Sequence, residues 1–156
     1  TMAVKRLTPS VKIYKEKTIN IEIDEEVTNS ELVLNLVKNG YKNVYKVTQP
    51  FEFSTRGGVI DVFSINYENP IRIEFWGDEI ERISEFDIDT QISKDRLTEI
   101  IITPTTEFIV DKDFDEEPKQ RELINYIEPS SILDYLNDPI IFYDDKKSIR
   151  WRRSFH

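Results

Sequence analysis

Apolar and polar positions change their period several times along this chain, and each change marks an element. Residues 11–23, VKIYKEKTINIEI, alternate in their second half, with Ile19, Ile21 and Ile23 set against Asn20 and Glu22. That predicts a half-buried strand, ended by Asp24-Glu25-Glu26. Thr28 followed three residues later by Glu31 is a capping-box pattern. Leu32, Val33, Leu36 and Val37 then recur at helical spacing, and Asn39-Gly40 closes the run. A helix near 29–39 is predicted, burying Val33, Leu36 and Val37. Residues 41–47 read as a second strand, and Thr48-Gln49-Pro50 as a break.

Short strands follow over 51–55, 59–64, 71–76, 80–86 and 99–103. Their links are Arg56-Gly57-Gly58, Asn66-Tyr67-Glu68-Asn69-Pro70 and Gly77-Asp78. This spacing predicts consecutive antiparallel hairpins. The fold class is therefore α+β: a curved antiparallel sheet of consecutive hairpins with one packed helix, over residues 10–110. Ile60, Val62, Ile71 and Ile73 are its expected inward face. Beyond Asp111 the character changes. A polar linker leads to a helix opened by Pro118 and a shorter one after Pro129-Ser130-Ser131, with Ile132, Leu133 and Leu136 inward. Ile140-Ile141-Phe142-Tyr143 reads as a strand. This helix–helix–strand segment, 111–149, is expected to be part of a flanking domain. Residues 150–156, with Arg150-Trp151-Arg152-Arg153, form a basic end expected to be disordered.

Composition narrows the chemistry. The chain has 156 residues, 38% hydrophobic and 33% charged, which suits a globular protein. No apolar run approaches the length of a membrane span, and no signal-like stretch opens the chain. There is no cysteine, which removes disulfides and thiolate chemistry and fits a cytoplasmic setting. The single histidine is His156, so no histidine-based triad or metal cluster can be assembled. A net charge of −9 disfavours wrapping a phosphate backbone and leaves room for a protein partner. No Gly-rich phosphate loop is present; Arg56-Gly57-Gly58 reads as a tight turn requiring positive φ. Asp87, Asp89 and Asp95 lack the loop glycine and distal glutamate of a calcium site. No catalytic, cofactor or metal constellation is predicted, and the chain reads as a binding module.

One strand is unusual. In Ile71-Arg72-Ile73-Glu74-Phe75-Trp76, alternation puts Arg72, Glu74 and Trp76 on one face. Phe75 falls inward with Ile71 and Ile73 unless the strand is bulged. Two readings fit the outward face. Arg72 and Glu74 form either a solvated ion pair, with Trp76 folded over the hairpin end, or a recognition surface rich in the residue types of interface hot spots.

The run "FEFSTRGGVIDVFSINYENPIRIEFWGDEIERISEFDIDTQIS" followed by "IIITPTTEFIV" resembles the UvrB-like module of bacterial transcription-repair coupling factors (the Mfd family). The likeness reaches upstream through the capped helix and "NGYKNVYKV" to about residue 10, and more weakly downstream through "PSSILDYL" to "IIFYDD". The related excision-repair protein UvrB is the alternative. The turn Arg56-Gly57-Gly58 and the stretch Phe86-Asp87-Ile88-Asp89-Thr90-Gln91 favour the coupling factor. Ser64 departs from the family, which usually has Pro there, and the segment between Val110 and Pro129 is shorter than in many relatives. The resemblance implies a UvrB domain 2-like fold and a non-catalytic role in recruiting UvrA to RNA polymerase stalled at DNA damage. The ATP-driven motor, and contacts to polymerase and DNA, would belong to other parts of such a protein. The resemblance maps family UvrA-binding positions onto Arg56, Arg72, Glu74, Phe75 and Trp76. A nucleic-acid-binding structural module is the competing class, with aromatics stacking on bases and the basic end on phosphates.

Overall fold

A computed structural model describes residues 7–105 and 130–137. The chain divides into two compact units, one of residues 14–109 and one of residues 1–13 with 110–156. In the larger unit the chain runs from the end of helix α1 (Val11–Lys17) through β1 (Ile19–Glu22), α2 (Asn29–Lys38) and β2 (Lys42–Asn43). It continues as β3 (Glu52–Arg56), β4 (Val59–Val62), β5 (Ile71–Trp76), β6 (Glu79–Phe86), β7 (Ser93–Leu97) and β8 (Glu99–Ile102). Strands β2 to β7 form one six-stranded sheet in chain order, antiparallel except for the β2–β3 pair. β1 and β8 form a separate antiparallel pair. The fold is the expected α+β meander.

Thr28 caps α2: its hydroxyl accepts from the Glu31 N–H at 3.1 Å. Leu32 and Leu36 are the helix's buried residues, at 1% and 0% exposure. Val37 was expected inward and is 53% exposed. Each residue turns the helix by about 100°, so Val37 lies on the flank of a stripe centred on Leu32 and Leu36. The core joins these leucines to Ile60, Val62, Ile71 and Ile73 of the sheet and to Ile21, Ile100 and Ile102 of the β1–β8 pair. All four isoleucine and valine positions expected inward on β4 and β5 are 0% exposed.

Other local expectations change. Residues 11–17 are helical, and only the alternating half of that stretch is a strand. The strand expected over 41–47 shrinks to two residues, because β2 runs parallel to β3 and the short link 44–51 must reverse between them. The Glu52 carboxylate closes that link, accepting from the Thr48 and Gln49 N–H groups at 2.9 and 3.2 Å. β7, Ser-Lys-Asp-Arg-Leu, was not expected; it is a polar edge strand. In the smaller unit, Ser131 and Asp134 form a capping box on a 3₁₀ turn, Ile132–Tyr135. Ile132 and Leu136, expected inward there, are 44% and 51% exposed. The expected helix after Pro118, the strand over 140–143 and the basic end 150–156 lie outside the described residues.

Candidate protein-binding face

Strand pairing sets the site. Asp61 of β4 stands opposite Ser54 of β3 on one side and Arg72 of β5 on the other. Arg72 in turn faces Ser84 of β6, and Glu74 faces Arg82. These residues share the sheet face opposite the aliphatic core. Asp61 is 2% exposed. Its Oδ1 accepts from Arg72 Nε at 2.7 Å, and its Oδ2 from Arg72 Nη2 at 2.9 Å and Arg56 Nη2 at 2.8 Å. The Arg72 guanidinium also lies 4.5 Å from the centre of the Phe86 ring. The bond to Asp61 raises the Arg72 pKa above its usual value, burial opposes this, and the charges of Asp61 and Glu74 add to it.

Two hairpin ends adjoin this cluster. Arg56 pairs with Val59 across Gly57-Gly58, and Gly57 takes φ +58°, as the reading of a tight turn required. The Gly58 carbonyl accepts from the Phe75 N–H at 2.8 Å. A Cβ on Gly58 would lie 3.0 Å from the Phe75 carbonyl oxygen, so this turn is pressed against the end of β5. Trp76 pairs with Glu79 across Gly77-Asp78, with Gly77 at φ +65°. The segment 24–27 braces that second hairpin: Asp24 and Val27 donate to the carbonyls of Ile80 and Asp78, both at 3.1 Å. Arg56, Glu74 and Trp76 therefore gather at one end of the sheet, and Trp76 is 76% exposed.

A loop completes the face. Asp87 Oδ1 accepts from the Asp89 and Thr90 N–H groups and from the Thr90 hydroxyl. Those Thr90 bonds, with Lys94 nearby, hold the Asp87 pKa down at about 2. The turn carries Gln91, at φ +61°, whose carbonyl accepts from Arg72 Nη1 at 3.4 Å.

The sequence-based site is thus partly redrawn. Arg56 and Arg72 do meet, but through Asp61. Arg72 faces outward as alternation required, but its side chain is only 17% exposed. Its ionic partner is not Glu74, two residues along the same strand, but the residue directly across from it. Glu74 instead lies 3.8 Å from Arg82, whose buried Nε has no hydrogen-bond partner. Phe75, 9% exposed, belongs to the core. The bulge there leaves Glu81 of β6 unpaired, so alternation along β5 is undisturbed and Phe75 stays inward. Asp61 and Arg82 escaped the sequence reading. Alternation set Asp61 opposite Ile60 and Val62, but only the register put it against Arg72. Among the described residues no cluster of carboxylates or histidine could hold a metal, and no helix is long and apolar enough to cross a membrane.

The meander presents Arg56 and Trp76 at two adjoining hairpin ends, with Trp76 standing in solvent. Residues 19–108 match the UvrB interaction domain, and the chain belongs to that family. It is similar to the transcription-repair-coupling factor of Bacillus subtilis (strain 168), 37% identical over 108 residues, covering 69% of this chain and 9% of that protein. Counterparts in Staphylococcus aureus are 36% identical over 107 residues (strain bovine RF122 / ET3-1) and 39% over 106 (strain MRSA252). These cover 69% and 68% of this chain. The chain spans about 9% of the length of the curated relatives it matches.

Proposed function

We propose that this chain is the non-catalytic UvrA-binding module of a transcription-repair coupling factor, acting in the cytoplasm to recruit UvrA where RNA polymerase has stalled at DNA damage. The observation that carries this reading is Trp76, 76% exposed on a braced hairpin end beside Arg56 and Glu74, in a member of the UvrB interaction domain family. Large aromatic and arginine side chains presented on a rigid scaffold lose little entropy on binding and dominate interface energies. Arg56, whose side chain is 52% exposed, keeps donors free for a partner carboxylate, and Glu74 can meet a basic group. Polymerase, DNA and ATP are engaged by other parts of such a protein, and this chain needs no cofactor.

UvrA from the same species, passed over the immobilised chain, is expected to be retained. Arg72→Glu should lose more binding than Arg72→Ala, because reversal adds repulsion to the lost bond. Failure of the folded, unsubstituted chain to retain UvrA would refute the proposal. Tight DNA binding at low salt that weakens steeply as salt is added would favour the nucleic-acid module instead. ATP hydrolysis by the purified chain above background would refute the non-catalytic reading.

A further inference from the structure

Asp61 is a single buried carboxylate shared by two arginines from different strands. The Arg72 fork grips both of its oxygens, and Arg56 reaches one of them from the other strand of Asp61's own hairpin. A fork on one side and a single bond on the other fix both guanidiniums relative to one group. The Phe86 ring and the Gln91 carbonyl complete the seat of Arg72. Two positive charges this close repel, and without an anion between them they would move apart. Counted with the adjoining Glu74 and Arg82, the face carries three arginines and two carboxylates, so it is one negative charge short.

We infer that Asp61 is a positioning residue for partner binding. It holds Arg56 and Arg72 side by side before the partner arrives, so that an acidic side chain of the partner meets donors already in place. Ordering two long side chains in advance removes that cost from the binding step. The inference rests on the interface reading above, with Asp61 acting through the arginines rather than touching UvrA.

Asp61→Asn keeps the side-chain shape and removes the charge. In the unsubstituted 156-residue chain, the Arg72 Nε–H should give a slowly exchanging, displaced NMR signal. In Asp61→Asn that signal should merge with those of exposed arginines, while the Ile60 and Ile73 methyl signals stay in place. UvrA binding should weaken by about tenfold or more. Asp61→Asn combined with Arg56→Ala should lose less than the sum of the two, whereas Asp61→Asn with Trp76→Ala should be additive. Should Asp61→Asn fail to fold, Asp61→Glu serves instead, because it keeps the neutralising charge and moves the carboxylate by one methylene. It should fold, shift the Arg72 Nε–H signal and weaken UvrA binding, with Arg56 and Arg72 both still present.

A folded Asp61→Asn chain that binds UvrA as well as the unsubstituted one overturns the inference and leaves the interface reading standing. An Arg72 Nε–H that exchanges as fast as free arginine overturns it before any partner is added. An unsubstituted chain that does not bind UvrA refutes the interface reading itself.

Discussion

The two faces of the six-stranded sheet are held by different chemistry. On one, Phe53, Ile60, Val62, Ile71, Ile73 and Ile83 are all 0% exposed. On the other, Ser54, Asp61 and Ser84 are buried to within 2%, with Arg72 stacked on Phe86 beside them. The first face is held by non-directional packing, which adjacent side chains share. The second depends on a few directional bonds converging on one carboxylate. Loss of one methyl group on the first face is a local fault. Loss of one guanidinium on the second leaves a buried charge short of partners. The polar face borders solvent at Arg56 and Trp76, and that is where the proposed interface lies.

The largest effect should come from the aliphatic face. Phe53→Ala removes a fully buried ring and should cost about 3–5 kcal/mol in urea unfolding. UvrA binding should then fall only in proportion to the unfolded fraction. Next comes the charged face. Arg72→Ala leaves Asp61 with Arg56 alone and should cost about 2 kcal/mol of stability. It should also weaken UvrA binding at least about tenfold. Unchanged stability in that variant would mean that Asp61 is solvated and that the contrast between the faces fails. Trp76→Ala separates binding from folding: its unfolding free energy should shift by less than about 0.5 kcal/mol. Its UvrA affinity, by calorimetry, should fall about tenfold or more.

The smallest effect belongs to the loop beneath Arg72. Its bonds depress the Asp87 pKa from 3.8 to about 2, so they stabilise the folded loop above the ordinary carboxylate range. That contribution is lost as pH falls from about 4 through about 2. The Thr90 amide shift should titrate with a midpoint near 2. A midpoint at the ordinary carboxylate value would mean that the loop bonds are not kept in solution.

Where a segment's period was strong and its ends carried turn or cap residues, the sequence alone fixed the element. β5 has the bounds that alternation assigned, 71–76, and Thr28 caps α2 as the capping pattern required. The resemblance carried by the run from Arg56 to Gln91 likewise led to the right family. Weak or mixed signals failed. Residues 11–17 hold charges and apolar residues at no single period, and they form a helix. β7 has Lys94, Asp95 and Arg96 exposed in succession, because as an edge strand it is held by backbone pairing to β6 and needs no apolar face.

What only the tertiary structure decided was register and partnership. Alternation can say that Asp61, Arg72 and Glu74 point away from the core, since side chains on a strand alternate whatever lies beside it. It cannot say that Asp61 stands opposite Arg72 while Glu74 stands opposite Arg82, because that depends on how hairpin lengths, turns and a bulge align three strands. A slip of two residues would preserve every inward isoleucine and give each arginine a different neighbour. The core was therefore legible in the sequence, and the charge pairing of the candidate site was not.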